Sequence, residues 1–196
     1  FLANDGTVDS NQATISIKVK PVPDPPAAIS ASVTIREDTP INIRLTGYDP
    51  DSDPIRFEIL KNPVNGKLMG SPPVITYEPN ENFNGKDSFQ FIANDGTLKS
   101  QPATIDITIE PVNDPPKANS QSVEVNEDAK ISINLTGSDV DGDSITFRLQ
   151  NSPINGKLEG PIPKLIYIPN ADFFGEDNFT FSVNDGKVDS AIATIS

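Results

Sequence analysis

The feature that most constrains the fold of this sequence is that it contains the same unit twice. Residues 24–106 align with residues 114–196 without a gap, and 41 of these 83 positions are identical. The opening stretch matches the last part of the same unit, since Ala13-Thr-Ile-Ser16 recurs as Ala103-Thr-Ile and Ala193-Thr-Ile-Ser196. A period of this length indicates tandem small domains rather than one large one. We therefore divide the sequence into residues 1–22, the C-terminal strands of a preceding repeat; residues 23–112, one repeat; and residues 113–196, a second repeat with an incomplete last strand.

Apolar and polar residues alternate in short runs throughout each repeat. Ile41, Ile43 and Leu45 are separated by polar residues, and the run Ala103–Ile109 follows the same period of two. This period predicts β-strands, and no helical period competes with it. Seven such runs in each repeat predict an all-β fold of tandem seven-stranded Greek-key β-sandwiches. The Asn65-Gly66 pair is typical of a tight turn between the third strand and the next.

Proline-rich joints stand where one repeat meets the next. Pro21-Val-Pro-Asp-Pro-Pro26 precedes the first full repeat, and Pro111-Val-Asn-Asp-Pro-Pro116 precedes the second. Proline fixes its own φ angle and cannot donate a hydrogen bond to a sheet, so both segments are predicted to be stiff, extended joints.

The composition excludes several functional classes. The formal net charge is −13, which makes nucleic acid and anionic lipid unfavourable partners, because the field of the protein repels phosphate groups. The sequence contains neither Cys nor His, so disulfides, thiolate chemistry and the commonest general base are absent. The sequence contains no apolar run of about 20 residues, so it does not predict a membrane-spanning segment. A catalytic pair of carboxyl groups needs an apolar cleft that raises the pKa of one of them, and no part of the sequence predicts such a cleft. We therefore expect no enzymatic activity.

Two loops carry alternating carboxylates, Asp49-Pro-Asp51-Ser-Asp53 and Asp139-Val-Asp141-Gly-Asp143. Carboxylates in this pattern can converge on one hard cation, and calcium fits best because no soft ligand accompanies them. The spacing is not that of an EF-hand, because Gly142 stands at loop position 4 rather than 6. The alternative interpretation is a polar turn whose Asp side chains bind their own backbone.

These joints, loops and recurrent Glu37-Asp38 and Asn94-Asp-Gly96 motifs resemble tandem cadherin-like repeats of immunoglobulin-like fold in bacterial or archaeal surface adhesin and fibre proteins. The resemblance covers essentially the whole chain and implies calcium between consecutive domains. Asn80 and Asn82 stand where cadherins carry an acidic triplet, and Pro111 replaces a linker Asp, so fewer ions and weak affinity, roughly 10⁻⁴–10⁻³ M, are expected. The implied ligands are Asp24, Asp49, Asp51 and Asp95 at the earlier junction and Glu37, Asn113, Asp114, Asp139, Asp141 and Asp185 at the later one, with Asp53 and Asp143 as additional acids.

The sequence therefore predicts a non-catalytic, calcium-stiffened stalk or fibre segment of an extracellular or cell-surface adhesin. Its predicted partners are neighbouring repeats or other copies of the same protein, joined head to tail by strand complementation. The alternative is a calcium-dependent module for carbohydrate binding, with a polysaccharide or cell-surface ligand, or for cell adhesion. Asn134-Leu-Thr136 and Asn178-Phe-Thr180 are glycosylation sequons whose Asn side chains should point outward.

Overall fold

The computed structural model describes all 196 residues, and its regular elements are β-strands. The first full repeat contains β1 (Ala27–Ala28), β2 (Ala31–Arg36), β3 (Ile41–Arg44), β4 (Gly47–Tyr48), β5 (Arg56–Lys61), β6 (Gly66–Ser71), β7 (Val74–Pro79), β8 (Gly85–Asn94) and β9 (Ala103–Glu110). The seven longer strands coincide with the seven predicted runs, and the prediction of an all-β sandwich is confirmed. No helix that could span a membrane is found in the structure.

The strands of the first repeat form two principal sheets. One has the order β2-β9-β8-β5, the other has the order β3-β7-β6, and β1 and β4 pair separately. Strand alternation places one side of each strand in the interior. Along β9, for example, Ala103, Ile105, Ile107 and Ile109 are buried while the polar residues between them face outward.

The second repeat has the same strand order except that it lacks a counterpart of β2. Its strands are β10 (Lys117–Ala118), β11 (Ile131–Asn134), β12 (Gly137–Ser138), β13 (Thr146–Asn151), β14 (Gly156–Glu159), β15 (Lys164–Pro169), β16 (Phe179–Asn184) and β17 (Ala193–Ile195). They form the sheets β13-β16-β17 and β11-β15-β14 and the pair β10-β12. The core packs one sheet against the other, and its buried members are Ile133, Leu135, Leu165, Tyr167, Phe179, Phe181, Val183, Ala193 and Ile195.

One strand of the first repeat is missing from the second. Residues 122–126, the counterpart of most of β2, form no strand, and their contact with β17 begins with a parallel bridge between Gln121 and Ile195. In the first repeat β2 pairs with β9. In the second, the backbone amide of Val123 donates to the carbonyl of Ser196 at 2.7 Å and the amide of Ser196 donates to the carbonyl of Gln121 at 3.0 Å, so residues 121–123 are hydrogen-bonded beside β17 without forming a strand.

Residues 1–22 contain an isolated bridge between Asn4 and Asp9 and no longer strand. One local expectation differs from the structure. The Asn65-Gly66 pair does not close a hairpin. It belongs to a connection between the sheets, since β5 pairs with β8 while β6 pairs with β7. Gly66 is required instead because a Cβ there would lie 2.5 Å from the Tyr77 ring.

The chain divides into two compact units. The first comprises Phe1–Val33, Pro40–Glu78 and Asp87–Ile107, and the second comprises Thr34–Thr39, Pro79–Lys86 and Thr108–Ser196. The second unit therefore contains the second repeat, the linker before it and two turns of the first repeat. Each set of predicted calcium ligands falls within a single unit.

Candidate metal centre

The two acidic loops share one internal hydrogen bond, and the first loop has a second. Oδ1 of Asp139 accepts a hydrogen bond from the backbone amide of Asp143 at 3.1 Å. Oδ1 of Asp49 accepts from the amides of Asp51 at 2.8 Å and Asp53 at 3.1 Å. One oxygen of each leading aspartate thus binds its own loop, as the polar-turn alternative predicts. The other oxygen, Oδ2 of Asp49 and of Asp139, is buried and has no hydrogen-bond partner.

The second aspartate of each loop holds the linker that precedes it. The backbone amide of Asp114 donates to Oδ2 of Asp141 at 2.8 Å, and the amide of Asp24 donates to Oδ2 of Asp51 at the same distance. This contact fixes the linker backbone beside the loop in both copies. It also places the carboxylate of Asp114, whose Oδ2 is buried without a partner, among other acids.

Glu37 enters this region from the turn that follows β2. Its side chain is only 2% exposed, and Oε1 accepts a hydrogen bond from the backbone amide of Val112 in the linker. The backbone amide of Glu37 in turn donates to the carbonyl of Glu110 at 3.0 Å. Oε2 has no partner, so Glu37 contributes a third buried carboxylate oxygen without a hydrogen bond within the second unit.

We call Glu37, Asp38, Asp114, Asp139 and Asp141 the junction cluster. Burial, followed by the negative charges of the four other members, raises the pKa of the Asp114 carboxyl above its ordinary value. An anion that is both desolvated and surrounded by like charge is unfavourable unless a cation or a proton compensates it.

Asp38 is a member of the cluster that the sequence reasoning missed. Its Oδ1 accepts the backbone amide of Asn82 at 2.9 Å, and it adopts a left-handed φ of 57°. Asn82 itself therefore contributes its backbone to the cluster. The signal was present in the sequence, because the Glu37-Asp38 pair recurs as Glu127-Asp128.

Asp185 and Asn113 lie beside the cluster and bind each other. Nδ2 of Asn113 donates to Oδ2 of Asp185 at 2.8 Å. The backbone amide of Val188, followed by this Asn113 bond, lowers the pKa of Asp185 to about 2. Oδ1 of Asn113 accepts from Nζ of Lys187 at 2.6 Å, so both polar ends of the Asn113 amide are engaged.

Lys187 forms an ion pair with one predicted ligand, Asp143. Its Nζ lies 3.0 Å from Oδ2 of Asp143, and this ion pair raises the pKa of the lysine. At the corresponding position the first repeat has Thr97, whose hydroxyl donates to Asp95 at 2.8 Å. The two acidic centres are therefore not equivalent, because a lysine ammonium is present only beside the second.

The first unit holds the other predicted ligands, Asp24, Asp49, Asp51, Asp53 and Asp95. The backbone amides of Leu98 and Thr97 lower the pKa of Asp95, so this carboxyl stays ionised. Pro23 occupies the position of Asn113, so Asp95 has no counterpart of the Asn113–Asp185 bond.

The donors present suit a hard cation. Apart from the amide oxygen of Asn113, the predicted side-chain ligands are carboxylates, and three buried carboxylate oxygens of Glu37, Asp114 and Asp139 have no partner. No trio of acidic side chains already surrounds a single point at coordinating distances. Calcium tolerates variable numbers and arrangements of oxygen ligands, so it is the hard cation that this donor set suits best. The residues fit the ion that the sequence predicts.

The chain has recognisable relatives. The sequence profile of the bacterial Ig domain family matches residues 23–108 and 113–196. Integrin beta-like protein A of Dictyostelium discoideum is 28% identical over 236 aligned residues, which cover 94% of this chain and 12% of that protein. The chain thus spans about an eighth of the length of this relative.

Two solved structures align with the chain. Human mucin-like protocadherin EC1-2 aligns with a TM-score of 0.48 and 18% identity, covering 87% of this chain and 95% of that one. An endo-fucoidan hydrolase, MfFcnA4 of glycoside hydrolase family 107, aligns with a TM-score of 0.40 and 19% identity, covering all of this chain and 32% of that one. The double match to one domain family confirms the predicted tandem immunoglobulin-like repeats.

Proposed function

Because the chain belongs to the bacterial Ig domain family, we propose that it is a non-catalytic stalk or fibre segment of an extracellular or cell-surface adhesion protein, stiffened by calcium at its repeat junctions. The observation that carries this proposal is the set of buried, unpartnered carboxylate oxygens of Glu37, Asp114 and Asp139. The integrin beta-like relative supports a role in adhesion.

The stiffening follows from where the cluster residues are attached. Glu37 belongs to the end of the first repeat, Asp114 to the linker, and Asp139 and Asp141 to a loop of the second repeat. A calcium ion bound by these oxygens would connect three chain segments and neutralise the repulsion among them. The hydrogen bonds to the amides of Val112 and Asp114 already hold the linker backbone in place. Within the second unit, Glu37 and Asp141 thus orient the linker, and calcium would supply the positive charge that balances the carboxylates.

Thermal unfolding with and without calcium tests the proposal. Calcium about tenfold above its Kd should stabilise the fold by about 1.4 kcal/mol per bound ion, and chelation should remove this gain. The double substitution Asp139→Asn and Asp141→Asn should abolish the calcium-dependent stabilisation that comes from the junction cluster. The matched double substitution Asp49→Asn and Asp51→Asn should abolish the stabilisation that comes from the acidic loop of the first repeat. Unchanged melting and unchanged solution scattering across a calcium titration of the wild-type chain would refute calcium stiffening.

We further propose that copies of the chain join head to tail by strand complementation, which would lengthen a stalk without new domains. The exposed apolar residues Ile15, Ile17 and Val19, which alternate with polar ones, support this idea. A calcium-dependent carbohydrate-binding module stays the alternative prediction of the sequence. A pull-down on insoluble polysaccharides with and without calcium distinguishes it from a stalk.

A further inference from the structure

The first repeat carries a groove where the edge strands of its two principal sheets meet. The groove has a volume of about 620 Å³, and Arg44 and Arg56 both line it. Arg44 is the last residue of β3 and Arg56 is the first residue of β5, and each of these strands lies at the edge of its sheet. Both arginine side chains are exposed. We call this feature the arginine groove.

The two arginines of the groove have no acidic partner. The sequence contains four arginines, and the arginine groove holds two of them. The four ion pairs of the structure all use lysines, and Glu58, two residues after Arg56, is paired with Lys99 at 2.9 Å. A guanidinium group offers N–H donors in a planar fork that matches a carboxylate or a tetrahedral oxyanion. The groove thus presents two unpaired cationic groups within a chain of net charge −13.

The second repeat retains the rest of this lining without the charge. Six of the nine lining residues are identical at the corresponding positions. Pro72 is replaced by Ile162, and the two arginines are replaced by Asn134 and Thr146. The same sandwich therefore forms with uncharged residues at both positions, so its packing does not require the arginines.

The backbone of the groove favours a ligand that is held by side chains. The amide of Leu45 donates to the carbonyl of Pro73 at 2.8 Å. The carbonyl of Thr46 accepts from the amide of Ile29 at 3.0 Å. Pro72 and Pro73 have no amide hydrogen to offer. An added polypeptide strand would find few free backbone groups on this side of the groove, which disfavours the mode in which a peptide extends a sheet.

The uncharged part of the lining is compatible with a sugar ring. Ile55, Phe57 and Pro72 are partly exposed there. Apolar surface with a few placed polar groups is the usual lining of a small-ligand site. An acidic sugar offers C–H groups for the apolar contacts and a carboxylate or sulfate group for charge-assisted hydrogen bonds from arginine.

We propose that the arginine groove binds an acidic sugar residue of a polysaccharide, with Arg44 and Arg56 holding its carboxylate or sulfate group. The net charge of −13 repels a densely charged polymer, so the site fits a glycan whose acidic groups are spaced apart. This inference goes beyond the proposed stalk, because it adds a ligand site on the side of one repeat and requires no calcium.

NMR titration of the isotope-labelled 196-residue chain, in buffer that contains a chelator, tests the site. The probes are digalacturonic acid, a galactose disaccharide that carries one sulfate group, and the same disaccharide without sulfate. At least one acidic probe should shift the amide signals of residues 44–47 and 55–57, and the uncharged disaccharide should bind about tenfold more weakly or less. Equal binding of all three probes, or binding of none, would overturn the inference.

Substitution of the arginines tests their role. Arg44→Gln combined with Arg56→Gln should weaken binding of the acidic probe about tenfold or more. Both side chains are exposed, so the melting temperature should not change. Arg148→Gln is the matched control, since Arg148 is also an exposed arginine on a strand but lies outside the groove. An affinity that survives the double substitution would contradict the assignment.

The second repeat allows the reverse experiment. Asn134→Arg, Thr146→Arg and Ile162→Pro together reproduce the lining of the arginine groove in the second repeat. This triple variant should bind twice as many acidic disaccharides per chain as the wild-type chain. An unchanged number would contradict recognition by the arginines.

A peptide with blocked ends and a single Glu tests whether the ligand is a sugar. It should bind about tenfold more weakly than the acidic disaccharide, because it lacks the ring that the apolar lining contacts. Equal affinity would overturn the assignment of a sugar. The calcium-dependent gain in melting temperature, measured on the double Gln variant, reports separately on calcium stiffening.

Discussion

The carboxylate of Glu37 accepts a hydrogen bond from the backbone amide of Val112, which lies 75 residues further along the chain. This bond joins the turn after β2 to the linker between the two full repeats. The corresponding glutamate of the second repeat, Glu127, is exposed.

This difference provides a matched pair of substitutions. Glu37→Gln retains an acceptor for the amide of Val112 and removes a buried negative charge that has an unpartnered oxygen. In buffer that contains a chelator, we expect Glu37→Gln to increase the free energy of unfolding by about 1 kcal/mol. Adding calcium should increase the free energy of unfolding of this variant by less than it does for the wild-type chain. Urea denaturation in both buffers measures the two effects. Glu127→Gln should change neither value, and equal effects of the two substitutions would contradict the role assigned to Glu37.

The raised pKa of Asp114 predicts how stability changes with pH in calcium-free buffer. Burial and the charges of Asp141, Asp38, Glu37 and Asp139 are its causes, so the folded state binds this proton more tightly than the unfolded chain. The contribution of Asp114 is therefore most favourable below the ordinary pKa of 3.8 and is lost as pH rises through the raised pKa. Asp114→Asn should accordingly be more stable than the wild-type chain at neutral pH, with the difference vanishing in acid.

Asp185 provides a control of opposite sign for this pH experiment. Hydrogen bonds from the backbone of Val188 and the side chain of Asn113 lower its pKa to about 2. Its contribution is present above its ordinary pKa of 3.8 and is lost as pH falls toward about 2. Asp185→Asn should therefore destabilise the fold at neutral pH, where Asp114→Asn stabilises it. Denaturant unfolding between about pH 2 and pH 7 measures both, and parallel curves for the two variants would contradict the assignment.

Lys187 is expected to weaken calcium binding at the second cluster. Its ammonium group donates hydrogen bonds to Oδ2 of Asp143 and Oδ1 of Asn113, and it adds a positive charge next to the carboxylates. Lys187→Thr, which introduces the residue of the first repeat, should increase calcium affinity about two- to fivefold. Isothermal titration calorimetry measures the change. Lys157→Thr breaks an exposed ion pair with Glu159 and should leave the affinity unaltered.

The contact between Gly66 and Tyr77 predicts a steric effect in the core. A Cβ on Gly66 would lie 2.5 Å from Cε2 and 2.6 Å from the hydroxyl oxygen of the fully buried Tyr77. Gly66→Ala should therefore cost about 1–3 kcal/mol of stability, as overpacking does in other cores.

A double-mutant cycle identifies the cause of that loss. Tyr77→Leu alone removes ring packing and the hydrogen bond from the Tyr77 hydroxyl to Asp87. It also removes the atoms that the new methyl group would meet, so the double variant should be less destabilised than the sum of the single ones. Strict additivity in thermal unfolding would contradict a clash between the new methyl group and the Tyr77 ring.

The sequence by itself determined the repeats, the strands and the chemical type of the candidate site. A period of two residues fixes which side chains of β9 are buried, and hard oxygen donors in alternating loops favour a hard cation whatever the surrounding packing. Those features are local or are repeated at a fixed interval, so a single chain reveals them.

Only the tertiary structure decided which oxygens are buried without a partner, because that depends on segments far apart in the chain. It placed Asp38 with Asp114, directed Lys187 to Asp143 and buried Glu37 against the linker amide of Val112. It also showed that Gly66 is required by the Tyr77 ring rather than by a turn. Side-chain alternation says which face a residue takes, but the neighbour that it meets depends on how distant strands and linkers pack.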